Sequence, residues 1–127
     1  MVNKAKAFII LGNQLFSPIH LKSFKDHHFM MAEDYQLCTY VKHHRQKILL
    51  FLSAMRSYAD ELKKADFSLT YFDCKHELFK KSYEDKILNF LNKIKTKHVD
   101  LFEVEDKFFE KQLINFFNKN KIQFNFI

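Results

Sequence analysis

Short apolar runs alternate along the chain with longer stretches of helical spacing. Ala7-Phe8-Ile9-Ile10-Leu11 is continuous and ends at Gly12, which suits a strand covered on both faces. Ser17-Pro18 then predicts a helix start, with Ser as N-cap and Pro at the first helical position. That helix has room for about two turns, to near Phe24. Phe29-Met30-Met31-Ala32 is a second buried run, closed by Glu33-Asp34. From Val41 to Lys64, residues Ile48, Phe51, Leu52, Met55, Tyr58, Ala59 and Leu62 recur at i, i+3, i+4, i+7, the mark of an amphipathic helix. Phe67 to Phe72 reads as a third strand, Tyr83 to Lys95 as a helix, and Val99 to Val104 as a fourth strand. Phe108, Phe109, Leu113, Phe116 and Phe117 mark a last helix whose aromatic stripe reads as core. Ile122, Phe124 and Phe126 alternate with Gln123 and Asn125, the period of a half-exposed edge strand.

Strands alternating with helices predict an α/β fold: a five-stranded parallel doubly wound, Rossmann-like sheet with helices on both faces. Gly12 is the only glycine and Pro18 the only proline, and no linker interrupts the pattern, so residues 1–127 read as a single domain. Ligands in such folds sit beyond the carboxyl ends of the strands. The loops to inspect are therefore 12–15, 33–40 and 103–107.

In the first loop Gly12 permits close backbone approach, while Asn13 and Gln14 supply amides that donate and accept. The pair can contact a ligand, or Asn13 can simply bond local backbone in a tight turn. Neither G-x-G-x-x-G nor G-K-S/T occurs, so no pyrophosphate cradle is predicted. Glu33 stands where dinucleotide folds hold a ribose hydroxyl, and equally where a carboxylate ends a solvated strand or supports the next loop. His27, His28, Cys38, His43 and His44 cluster in sequence without H-x-x-x-H or H-E-x-x-H spacing. No metal site is expected from them, and His27 and His28 are expected at the surface. No nucleophile–base pair is legible from spacing.

Composition narrows the setting. No apolar run exceeds five residues, against the roughly 20 that a membrane helix requires. The N-terminal apolar stretch is too short for a signal-peptide core. A cytoplasmic protein with free thiols at Cys38 and Cys74 is expected. The net charge is +6, carried by 19 lysines and only two arginines. Arginine is the usual fork for phosphates and base edges. Residues 1–64 hold 10 basic and 5 acidic groups, residues 65–127 hold 11 and 10. Any face meeting a polyanion is thus expected to come from the first half.

Three stretches carry a more specific signal: Ile10-Leu11-Gly12-Asn13-Gln14-Leu15, Thr39-Tyr40-Val41-Lys42-His43-His44-Arg45-Gln46-Lys47-Ile48, and Phe51-Leu52-Ser53-Ala54-Met55-Arg56. Together they resemble the N-terminal domain of the deoxyribodipyrimidine photolyase-related proteins, the iron–sulfur bacterial cryptochromes and (6-4) photolyases. The family pattern reads I-L-G-D-Q-L, T-Y-V-x-H-H-K-x-K-I and F-x-S-A-M-R, and the likeness spans about residues 7 to 127.

The resemblance implies an antenna-type α/β domain that is not itself catalytic. A lumazine- or flavin-type chromophore would lie against Gly12, Asn13, Gln14, Ala32, Glu33, Leu37, Val104 and Glu105. FAD, the iron–sulfur cluster and the lesion-DNA contacts would belong to a following helical domain, so this chain is expected to be either an excised domain or a stand-alone product. Its expected partner is that helical FAD-binding domain, in cis or in trans, with at most weak non-specific DNA binding and no membrane contact. Two positions depart from the family pattern. Asn13 replaces an Asp, and Leu37 stands where a Glu often faces the chromophore. Leu37 has no polar group for a pyrimidinedione edge, which motivates an alternative: a chromophore-free scaffold that docks a helical flavoprotein domain. A stand-alone nucleotide-binding enzyme is permitted by the fold but lacks a nucleophile–base pair.

Overall fold

The computed structural model describes residues 6–12, 14–33 and 45–127. Strands β1 (Ala7–Ile9), β2 (His28–Ala32), β3 (Ser68–Phe72), β4 (His98–Leu101) and β5 (Gln123–Phe126) form one sheet. Its order is β3-β2-β1-β4-β5 and every pairing is parallel. The doubly wound α/β architecture predicted from the alternation is the one found. A 3-10 helix (Pro18–Phe24) joins β1 to β2, α1 (Arg45–Lys64) precedes β3, α2 (Tyr83–Ile94) joins β3 to β4, and α3 (Lys107–Lys119) joins β4 to β5.

The strand pleat divides the core in two. Ala7 and Ile9 of β1, with Met30, Val99 and Leu101, face Ile87, Phe90 and Leu91 of α2 and Leu113 and Phe117 of α3. Phe8 and Ile10, with Phe29 and Met31, face Leu21 of the 3-10 helix and Met55, Tyr58, Ala59 and Leu62 of α1. β1 is central and buried on both sides, which accounts for its unbroken apolar run.

Local chemistry fixes the ends. Ser82 caps α2 by accepting from the Asp85 amide, and Lys95 closes it in the left-handed region at φ 57°. Asp106 caps α3 by accepting from the amides of Phe108 and Phe109. Ser17 caps the first helical segment, as its sequence predicts, but the turns that follow are 3-10 rather than α. β4 stops at Leu101, three residues before the predicted end at Val104. The expected helix start at Val41 lies outside the described residues.

Two expectations fail on burial. Phe108 belongs to the aromatic stripe of α3 but is 81% exposed, because it sits in the first turn, beyond the sheet that Leu113 and Phe117 cover. His27 is not at the surface: it is 5% exposed, edge-on to Phe8 and Phe24, between Asp26 and Asp100. The half-buried His28 lies 3.1 Å from the Ser68 hydroxyl. No helix among the described residues is long and apolar enough to cross a membrane.

Candidate functional site

β1 and β4 are neighbours, yet the chain leaves them toward opposite edges of the sheet. The crevice above their carboxyl ends is the topological switch point, where ligands of this architecture bind. Gln14 occupies it. Its side chain is buried, its Oε1 accepts from the Leu11 amide at 3.3 Å, and its Nε2 donates to the Glu103 carbonyl at 3.0 Å. One amide thus ties the loop after β1 to the loop after β4. Phe16 lies at this junction, 46% exposed, with its ring edge-on to Phe102 at 5.0 Å.

Gly12 is required by space rather than by backbone angle, since its φ is not positive. A Cβ there would fall 2.6 Å from Phe51 Cζ and 3.0 Å from Met55 Sδ. Gly12 belongs to the first of the three family-like stretches, Phe51 and Met55 to the third. Their juxtaposition seats α1 against the turn after β1.

The second cluster lies at the end of β2. Glu33 is wholly buried, and its carboxylate accepts four hydrogen bonds. Arg56 Nε and Tyr71 OH donate to Oε2 at 2.7 and 2.6 Å, while Arg56 Nη2 and the Cys74 amide donate to Oε1, both at 2.9 Å. Burial pushes the Glu33 carboxyl up, but the bonds from Arg56 and Tyr71 and the Arg56 charge outweigh it and hold it below the ordinary range. The same contacts raise Arg56, and burial together with the Glu33 bond raises the Tyr71 phenol. Lys86, fully buried on α2, donates to the Glu33 carbonyl at 3.1 Å and lies over the Phe79 ring. The end of β2 is therefore held by side-chain donors from both helical layers.

Beside this cluster a cavity of about 420 Å³ opens between α1 and the end of β3, lined by Arg56, Asp60, Lys63, Tyr71, Asp73 and Cys74 among others. It is displaced from the switch point toward the β3 edge of the sheet. The exposed Cys74 thiol lies 3.3 Å from Arg56 Nη2. Among the described residues no group of three or more His, Cys, Asp or Glu side chains is placed to hold a metal ion.

The predicted site residues thus fall in different surroundings. Gly12 and Gln14 meet at the switch point, but each is committed to packing or bonding within the chain. Ala32 and Val104 are buried in the α2/α3 core, and Glu105 is exposed in the loop before α3. Glu33 supports its own strand end and the turn at Cys74 rather than standing open to solvent. Asn13 and Leu37 lie outside the described residues. Arg56, Tyr71, Cys74 and Lys86 are the groups that spacing did not find. Their positions are far apart in sequence, although Arg56 closes the third family-like stretch.

The exposed large apolar side chains among the described residues stand where elements begin or end at the carboxyl edge of the sheet. Phe16 and Ile19 follow β1, Leu49 and Leu50 lie near the start of α1, Phe108 opens α3 and Ile127 follows β5. Leu50 is 70% exposed. A family model described as deoxyribodipyrimidine photo-lyase-related protein matches residues 8–127 of the chain. No curated protein matches it.

Proposed function

Since the chain belongs to the deoxyribodipyrimidine photo-lyase-related family, we propose that it is a non-catalytic α/β module that docks a helical flavin-binding domain on the carboxyl edge of its sheet. The observation that carries this reading is the placement of Phe16, Ile19, Leu49, Leu50, Phe108 and Ile127 at that one edge. Exposed apolar side chains scattered singly need no explanation, but a concentration at one end marks an interaction surface. The Gln14 bridge and the Glu33 cluster give this surface a rigid floor. Light-driven DNA repair or photoreception would belong to the assembly with FAD and an iron–sulfur cluster, with this chain supplying position rather than chemistry.

A second reading, the antenna domain, is favoured by the exposed Phe16 ring beside the switch point and its edge-on contact with Phe102. Aromatic rings there offer a stacking surface for a flat lumazine or flavin. Of the residues named from the sequence, Gly12 and Gln14 meet at this crevice. The spectrum of the purified chain, before and after incubation with 6,7-dimethyl-8-ribityllumazine or FMN, separates the two. Docking alone predicts no retained near-ultraviolet or blue band after gel filtration. A stoichiometric retained band, lost in Phe16→Ala, would install the antenna reading in its place.

A further inference from the structure

We propose that the cavity between α1 and the end of β3 is a modification site, where Cys74 exchanges with a small zwitterionic peptide disulfide of the glutathione type. One helix face and one turn build it. Arg56, Asp60 and Lys63 recur at i, i+4 and i+7 on α1 and so share a face. Asp73, Cys74 and Lys75 follow β3 directly. Together they line a cavity of about 420 Å³, a size that holds small molecules. The Cys74 thiol is exposed at its wall and yet fixed in place. The Cys74 amide donates to Glu33 Oε1 at 2.9 Å, and its sulfur accepts from Arg56 Nη2 at 3.3 Å. Glu33 is held in turn by Arg56 and Tyr71. The sulfur thus stands on a rigid base and remains open to an incoming group.

The charges on the lining select the occupant. Arg56 is already matched by Glu33. Lys63 and Lys75 remain, facing the same cavity as Asp60 and Asp73. Among the described residues none of these four side chains forms an ion pair. Asp73 Oδ1 accepts only from the Lys75 amide, at 2.9 Å. A cavity that keeps cations and carboxylates apart suits a ligand carrying both signs. A phosphate-rich ligand would meet Asp60 and Asp73 as well as the lysines, and like charges set together reject it. An apolar ligand would strip water from these charges and return no hydrogen bond. A zwitterionic peptide disulfide offers carboxylates to Lys63 and Lys75, an ammonium to Asp60 or Asp73, and a sulfur to Cys74.

The exchange balances without a further oxidant. Cys74 gives up its proton, and its sulfur attacks one sulfur of the ligand's disulfide. The ligand's S–S bond breaks as the Cys74 S–S bond forms. The released half leaves as a thiolate and takes up the proton. Cys74 is oxidised to a mixed disulfide and one half of the ligand is reduced to a thiol. The half that stays is the one whose charges Lys63, Lys75, Asp60 and Asp73 can meet.

The test is the rate at which Cys74 in the full chain is modified by glutathione disulfide and by the uncharged hydroxyethyl disulfide, read by mass spectrometry with peptide mapping. The ratio of the two rates in the folded chain is divided by the same ratio in the urea-unfolded chain, which removes the intrinsic difference between the reagents. The quotient should be at least about fivefold in favour of glutathione disulfide for the wild type, the size that a pair of exposed charge contacts supports. It should fall toward unity in Lys63→Gln/Lys75→Gln and stay high in the charge-matched control Lys107→Gln/Lys111→Gln, with circular dichroism melts to check that both are folded. It should also shrink between about 50 and 200 mM salt, because exposed charges are screened. A quotient near unity for the wild type, an equal fall in both variants, or a Cys74 that neither reagent modifies in the folded chain would overturn the proposal. None of these outcomes involves the exposed apolar side chains of the docking edge, so the docking reading stands or falls separately.

Discussion

Arg56 grips Glu33 at two points, Nε to Oε2 at 2.7 Å and Nη2 to Oε1 at 2.9 Å, with the carboxylate fully buried and the guanidinium half exposed. The pair ties α1 to the end of β2 and, through Cys74, to the turn after β3. Removing one partner of a buried pair leaves a charge without compensation and costs about 3–5 kcal/mol. Because Arg56 is itself half in water, Arg56→Ala should lose less, on the order of 2–3 kcal/mol. Urea unfolding at neutral pH measures it, and a loss below about 1 kcal/mol would remove the pair from its central place.

The same pair predicts an acid limb. Glu33 is held below its ordinary value of 4.5 in the fold, so the unfolded chain takes up the proton first as pH falls. Its contribution is complete above that ordinary value and disappears as pH drops through the lower, folded one. Glu33→Gln should flatten the dependence of stability on pH below about 4.5. Urea midpoints measured across the acid range should converge for Glu33→Gln and wild type; parallel curves would count against it.

Gln14 is predicted to act as a crossbeam. Gln14→Ala leaves the Leu11 amide and the Glu103 carbonyl without their shared partner, at a cost of about 1–3 kcal/mol. Gln14→Glu should cost more, since a carboxylate brought to the Glu103 carbonyl accepts where a donor is required. Hydrogen exchange at the Leu11 amide should accelerate in Gln14→Ala. Unchanged protection would mean that the bridge does not hold the two loops.

Much of the fold was legible because β1, α1 and α2 announce themselves through burial periodicity. The burial of His27 was not, since Asp100, its closest partner, lies 73 positions away and faces it only once β1 and β4 pair. Glu33 keeps its alternatives open in the sequence because a carboxylate after a strand looks the same whether it meets ribose or an arginine. Its partners Arg56, Tyr71 and Cys74 come from three other segments.

Gly12 offers a coupling test. Gly12→Ala places a methyl against Phe51 and Met55, and overpacking of this kind typically costs about 1–3 kcal/mol. In a Phe51→Ala background the contact at 2.6 Å is gone and only Met55 Sδ at 3.0 Å remains, so the added cost of Gly12→Ala should fall. A double-mutant cycle reads this directly. Additive effects would show that the glycine is needed for something other than clearance.

Tyr58 is predicted to be dispensable for stability. Its hydroxyl is buried and has no hydrogen-bond partner among the described residues, and burial with the nearby Glu61 charge pushes the phenol up to about 12. Tyr58→Phe should be neutral or stabilising by up to about 1 kcal/mol, because an unmet buried donor is removed with no loss of packing. Chemical denaturation would settle the sign; a clear loss would reveal a bond that the fold conceals.

Docking through the carboxyl edge is tested most directly by sedimentation velocity with the helical flavin domain of a photolyase-related protein. The wild-type chain is compared with Leu50→Ser/Phe108→Ser, whose exposed positions should leave its urea midpoint unchanged. The account predicts a one-to-one complex with the wild type and at least a tenfold weaker one with the variant. A complex of equal strength with both chains, or none with the wild type, would contradict it.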